Sequence, residues 1–240
     1  MANSYFQFKQ FVIHQDNCAM KVTTDGCLFG AYVSHNIPTN ATRMLDIGAG
    51  TGLLSLMAAQ KNKLNIDAVE LDKSAFEQAV ENSTTSPWAE RINMVHADAR
   101  TFKPVHKYDV IASNPPFYEK ELKSDNTKKN IAHHNEGLLL TELITIIKQQ
   151  LLPSGIFYLL LPYKRNDEIK KLMAANGFAI QQLTLIRQSV SHDYFRILLA
   201  GKFNTEEPVE TMIDEIAIKD KEGSYTPAFT SLLKDYYLHL

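Results

Sequence analysis

Hydrophobic and polar positions along the chain switch between two periods, and the switches mark out its elements. Near the start, Phe6, Phe8, Phe11 and Ile13 are separated by polar residues, which predicts a strand or hairpin arm outside any main sheet. Asp25 to Asn36 reads as a short helix, ended by Pro38. Strand patterns then fall at Arg43–Ile47, Ile66–Leu71, Ile92–Ala97, Tyr108–Ser113 and Ile156–Leu161. Helix patterns lie between them, at Gly52–Lys61, Ser74–Thr84 and Leu138–Leu151, and Lys164–Asn176 follows, stopped by Gly177. This alternation predicts an α/β fold, a mostly parallel sheet with helices on both faces. Two further strands, Phe178–Arg187 and Tyr194–Phe203, are joined by a segment too short for a parallel crossover. They are expected to form an antiparallel hairpin at the sheet edge. The remaining tail reads as a polar linker, a short apolar stretch at Met212–Ile218 and a helix over Phe229–Leu238.

Composition narrows the class. At 240 residues, with 45% apolar and 22% charged residues, the chain suits one α/β domain with small additions. No apolar run approaches the ~20 residues of a membrane span, and the start lacks a basic segment followed by an apolar one. Cys18 and Cys27 make neither a disulfide framework nor a metal site, so two reduced thiols in a cytoplasmic protein are expected. Net charge is −2, but residues 205–223 hold seven acids against two lysines, which leaves the rest of the chain at +3. A basic body with an acidic appendage is compatible with RNA as a substrate without requiring it.

Candidate chemistry lies where strands end, because ligands of open α/β sheets sit at the carboxyl ends of the strands. The first parallel strand runs into Asp46-Ile47-Gly48-Ala49-Gly50-Thr51-Gly52, a tight glycine turn opening a helix. Its spacing is G-x-G-x-G, whereas a dinucleotide fold carries G-x-G-x-x-G. Glu70 ends the next strand, 18 residues past Gly52, near the offset at which an acid meets ribose hydroxyls. Asp72 fits better as a cap of the helix that follows. Asp98 and Ala99 follow the third strand, and a loop-capping acid competes with a binding one there. The fourth strand ends in Asn114-Pro115-Pro116-Phe117. Two prolines cannot continue a sheet, so an amide, a rigid carbonyl and an aromatic face are presented together. That set suits a planar group bearing an NH2.

These motifs, in this order, resemble those of the class I S-adenosylmethionine-dependent methyltransferases that modify amino groups, over roughly residues 40–205. The resemblance implies a Rossmann-like fold with a seven-stranded, mostly parallel sheet and one antiparallel strand. It implies S-adenosyl-L-methionine as cofactor and no metal, with Asp46, Gly48, Gly50, Gly52, Glu70, Asp98, Ala99 and Asn114 at the cofactor. Asn114, Pro115, Pro116 and Phe117 would hold the target amine. That tetrapeptide serves adenine N6, guanine N2 and, usually with Tyr last, the glutamine amide of proteins. The chain ends, Phe6–Phe11, Met20–Ala31 and Tyr225–Leu238, resemble the bacterial tRNA1(Val) adenine-N6 methyltransferase family, which acts beside the anticodon. That likeness places Lys21, Thr24 and Asp25 on a lid over the cofactor, although Asp25 could equally cap the following helix. Phe29 departs from the family's usual leucine.

Residues 118–135 interrupt the periodic pattern. A loop of about 18 residues in a compact domain calls for a function or disorder. Lys120, Lys123, Lys128 and Lys129 are its candidate phosphate contacts, against the commoner reading of a solvated charge run; Lys164, Arg165 and Arg187 could extend that surface. The expected organisation is an extension over the cofactor site at 1–39, a catalytic domain at 40–204, and an acidic linker with a packing helix at 205–240. Monomer and dimer are both open. A dehydrogenase would need the other glycine spacing and a proton relay. A non-catalytic cofactor-binding scaffold would have no use for the intact tetrapeptide.

Overall fold

The computed structural model describes residues 3–18, 20–115, 137–205 and 210–240. The elements are β1 (Tyr5–Gln7), β2 (Val12–His14), α1 (Thr24–Asn36), β3 (Arg43–Ile47), α2 (Leu53–Lys61), β4 (Asn65–Glu70), α3 (Lys73–Thr84), β5 (Ile92–His96), β6 (Tyr108–Ser113), α4 (Leu140–Gln150), β7 (Leu151–Pro162), α5 (Asn166–Ala175), β8 (Phe178–Ser189), β9 (Tyr194–Phe203), β10 (Met212–Lys219) and α6 (Pro227–Leu233).

β3 to β10 form one sheet in the order β10-β8-β9-β7-β6-β3-β4-β5, and β1 and β2 form a separate hairpin. Only β9 runs against its neighbours, pairing antiparallel with both β7 and β8. The sheet thus has eight strands where seven were expected. The extra one is β10, which pairs parallel with β8 and covers the β8–β9 hairpin that the sequence placed at the edge. Its first four residues are all exposed and only Ile216 and Ile218 turn inward, so its sequence shows too little alternation to read as a strand. The final helix is also shorter than its apolar pattern: it stops at Leu233, and Tyr236 and Tyr237 bond back to the Leu233 carbonyl.

Period-two alternation sorts the core onto two faces. Ile156, Tyr158 and Leu160 of β7 join the cluster under α1, α2 and α6, while Phe157, Leu159 and Leu161 join the cluster under α4 and α5. The β1–β2 hairpin leans on the first cluster through Phe8 and Ile13, both fully buried. There it meets the tail: Lys9 N–H donates to the Tyr236 carbonyl at 2.8 Å, and Phe8 bridges to Tyr237. Lys61 on α2 pairs with Asp235. Both cysteines are free and buried, and burial pushes the Cys18 thiol up to about 11 and the Cys27 thiol up to about 12. Among the described residues no helix is long and apolar enough to cross a membrane.

Candidate active site

β3 and β6 are adjacent parallel strands, so their ends lie side by side, with Ile47 opposite Ser113. The Ser113 hydroxyl donates to the Ile47 carbonyl at 2.8 Å and locks the two ends together. From β3 the chain enters the glycine turn; from β6 it enters Asn114 and the buried Pro115. A pocket opens between them. Its walls are residues 48–51 with Leu53 and Leu54 on one side, and Met20–Thr23 with Gly26 on the other; Asn114 lies where they meet.

Gly48, Gly50 and Gly52 all have positive φ, at 75°, 56° and 82°, which L side chains rarely adopt. A Cβ on Gly48 or Gly50 would meet nothing within 4 Å, so the turn presents bare main chain to open space. The Gly48 and Ala49 N–H groups donate to the Val69 carbonyl, which fastens the turn to β4. Gly50 N–H donates to Glu70 Oε2 at 2.8 Å, and Asp72 N–H to Glu70 Oε1 at 2.8 Å. Each Glu70 oxygen keeps a lone pair for hydroxyl donors. Asp72 caps α3, accepting from Ala75 N–H at 2.8 Å.

Asp46 alternates onto the α2 face of the sheet and is fully buried. Its Oδ2 accepts from Ser55 Oγ at 2.8 Å, while Oδ1 has no partner. Burial pushes its carboxyl up to about 7, partly offset by the Ser55 hydrogen bond. Asp46 therefore braces the start of α2 from beneath the turn. Asp98 is engaged by Arg100, whose Nε lies 2.9 Å from both carboxylate oxygens and whose Nη2 lies 2.6 Å from Oδ2. That hydrogen bonding holds the Asp98 carboxyl below its ordinary value. Asp98 also opens a turn: its carbonyl accepts from Thr101 and Phe102 N–H and its Oδ1 from Arg100 N–H at 2.9 Å, a capping geometry. Ala99 packs beside it against the second core cluster.

The three residues expected on a lid are differently placed. Lys21 lines the pocket, and its Nζ donates to the Asn3 carbonyl at 3.2 Å. Thr24 is the exposed first residue of α1. Asp25 does not cap that helix: Thr23 does, accepting from Gly26 N–H at 3.2 Å, and Asp25 Oδ2 accepts from Arg196 Nε of β9 at 2.8 Å. Asn114 Nδ2 would be 3.9 Å from a Cβ on Gly26, so its amide sits against the amino end of α1. Pro116, Phe117, Lys120, Lys123, Lys128 and Lys129 lie outside the described residues.

Several residues that position the site carry no local sequence signal. Asn82, 1% exposed in α3, accepts from His14 N–H and donates to both the His14 and Thr51 carbonyls, all within 2.9 Å. Gln15, also buried, accepts from Val22 N–H at 2.8 Å. Residues 20–23 thus hang from the hairpin through Gln15, and the hairpin is tied to the glycine turn through Asn82.

The glycine turn and the Glu70 carboxylate bonded to its Gly50 N–H have the chemistry a nucleoside cofactor calls for. A bare glycine turn admits close approach, and a carboxylate with spare lone pairs suits a ribose. The sequence comparisons agree. Residues 31–160 match the family model described as methyltransferase small domain. The chain is 44% identical over 241 residues to the tRNA1(Val) (adenine(37)-N6)-methyltransferase of Dyadobacter fermentans, covering 98% of each chain. It is 40% identical to the enzyme of the same name from Cytophaga hutchinsonii, covering all of both chains. Among solved structures, a predicted O-methyltransferase from Agrobacterium tumefaciens superposes with a TM-score of 0.67 at 19% identity, over 87% of this chain and 95% of that one, a likeness of fold alone.

Proposed function

The chain belongs to the methyltransferase small domain family and to the tRNA1(Val) (adenine(37)-N6)-methyltransferases, and from that premise we propose how its own residues carry the reaction. The enzyme uses S-adenosyl-L-methionine and methylates N6 of an adenine in tRNA, beside the anticodon. The observation that carries our assignment of roles is the meeting of Asn114 with the glycine turn in one pocket.

Gly48 and Gly50 let the cofactor approach the main chain, and Glu70 accepts from its ribose. Asp46 stiffens the turn through Ser55 and keeps α2 in place behind it. Asp98 and Ala99 border the adenine end, with Arg100 orienting the Asp98 carboxylate. Met20 to Thr23, with Lys21 among them, close the second side. Residues 1–39 then act as the cover, 40–204 as the catalytic unit, and 205–240 as the support behind the cover. Bound, the cofactor supplies an electrophilic methyl group.

The amine of adenine is a poor nucleophile because its lone pair is delocalised into the ring. The Asn114 amide oxygen and the Pro115 carbonyl each accept one of its N–H bonds. Those acceptors aim the nitrogen and favour its pyramidal form, so positioning supplies most of the catalysis. Phe117 stacks on the base, at about 1–3 kcal/mol. The methylated nitrogen is acidic and needs no strong base on the enzyme. Turning the base out of a stacked loop costs a few kcal/mol, which contacts elsewhere on the RNA must offset; Lys120, Lys123, Lys128 and Lys129 are candidates for them. The reading places the enzyme in the cytoplasm with its tRNA.

The test is transfer of labelled methyl groups to unmodified tRNA, followed by nucleoside analysis. N6-methyladenosine is expected; N2-methylguanosine or an unlabelled tRNA pool would refute the assignment.

A further inference from the structure

The carboxyl edge of the sheet carries a second built feature beside the pocket. β6 stops at Ser113, opposite Leu159, but β7 continues to Pro162, opposite Arg196 of β9. That overhang extends roughly 10 Å beyond the level of the clamp. The chain then makes one 3-10 turn, Tyr163–Arg165. Tyr163 is 37% exposed, and its ring lies 5.3 Å from that of Tyr194, the first residue of β9. Tyr194 is clamped. The Arg187 guanidinium lies over its ring, 4.1 Å from the centroid, and donates to its hydroxyl at 2.6 Å. That hydroxyl donates in turn to Glu215 at 2.5 Å, so three strands converge on one phenol.

A single exposed aromatic ring is ordinary. A ring backed by a second ring, itself fixed by a cation and a carboxylate, is more than folding requires, because among the described residues no backbone group is recorded bonding to either phenol. Its location is telling. Arg196, in register with Pro162, bonds Asp25, and Asp25 precedes the Gly26 that abuts Asn114. The aromatic pair therefore lies on the same edge of the sheet as the amine clamp, at the ends of the two strands next to β6.

We infer that Tyr163, backed by Tyr194 and Arg187, is a stacking platform for an unpaired RNA base neighbouring the target adenine. The inference rests on the tRNA reading above. Extruding the adenine leaves its neighbours with uncovered faces, and a π surface satisfies any base without reading its edges. Arg187 neutralises Glu215, which would otherwise repel the nearby phosphates.

The experiment compares Tyr163→Ala, Tyr163→Phe and Tyr163→Trp in the full chain with an unmodified tRNA transcript. Its readouts are kcat and KM for the transcript, transcript affinity by fluorescence anisotropy, and affinity for S-adenosyl-homocysteine. Tyr163→Ala is expected to weaken transcript binding and raise its KM about tenfold, with kcat and product-cofactor affinity within twofold. Phe and Trp should restore binding. The salt slope should be unchanged, since no charge is lost. An unchanged KM in Tyr163→Ala overturns the platform, as does failure of both Phe and Trp to restore it. If the unsubstituted enzyme forms no N6-methyladenosine, the tRNA reading itself falls and the platform with it. Normal methylation with an unaffected Tyr163→Ala removes the platform alone.

Discussion

One wall of the pocket, the glycine turn, is made of main chain, whereas the opposite wall, residues 20–23, is suspended from side-chain amides. The turn inherits its position from the sheet, through β3–β4 pairing and the Val69 carbonyl. The strap inherits its position from Gln15 and Asn82, which lie outside the pocket. Damage to the first wall should change its shape; damage to the second should change only where it stands.

The sharpest test lies where the walls meet. Asn114→Ala should lower methyl transfer by at least about 10²-fold while cofactor affinity by calorimetry stays within about threefold. A parallel collapse of affinity would make Asn114 part of the walls. Next, Glu70→Ala removes the acceptor of the Gly50 and Asp72 N–H groups together with the proposed ribose partner. A loss of about 2–3 kcal/mol in cofactor binding is expected, as for hydrogen bonds to a charged group, and Glu70→Gln should fall between.

Asn82→Ala cuts the tie between the walls and strands buried backbone groups of His14 and Thr51. We expect stability to drop by about 1–3 kcal/mol and cofactor to bind roughly tenfold more weakly, a factor worth about 1.4 kcal/mol, with kcat little changed at saturation. Asn82→Asp, which keeps the acceptor for His14 N–H but turns a buried carboxylate oxygen toward the His14 and Thr51 carbonyls, should be at least as damaging. A stability loss without any affinity loss would show that the strap is positioned by something else.

The last test concerns Asp46 beneath the turn and reads only stability against pH. Its carboxyl is raised from an ordinary 3.8 to about 7, chiefly by burial. The folded protein therefore holds a proton that the unfolded chain releases. Stability from this group falls as pH rises from about 4 to about 7 and is flat above that. Melting curves of the wild type and Asp46→Asn should diverge over that range, with the wild type losing relative stability toward neutral pH. Parallel curves would mean that Asp46 is ionised throughout.

The two walls were not equally legible. The glycine turn, Glu70 and Asn114 were readable because strand periodicity, glycine spacing and a proline pair are local signals. Asp72 as a cap followed from its place before α3. The strap's supports were not readable: Asn82 looks like any polar residue on an amphipathic helix, and only the fold brings it to His14 and Thr51. The Asp25–Arg196 pair spans 171 positions and leaves no local trace. Asp98 was ambiguous for a different reason, since a loop-capping acid and a binding one look alike in sequence, and only the structure shows its carboxylate held by Arg100. β10 was legible as the apolar stretch Met212–Ile218 but not as a strand, because its alternation begins only at Ile216.

The contact between the amino-terminal hairpin and the tail has a consequence for synthesis of the protein. Lys9 reaches the Lys234 carbonyl, 225 residues away, and Lys9 N–H bonds Tyr236. The hairpin that seats the strap is thus made some 225 residues ahead of part of its resting surface. A nascent chain can assemble the glycine turn once β3 and β4 have emerged, yet the hairpin behind its second wall gains its last contacts only when residues 234–237 follow. Full seating of the hairpin behind the cofactor pocket would then wait until residues 234–237 have been translated.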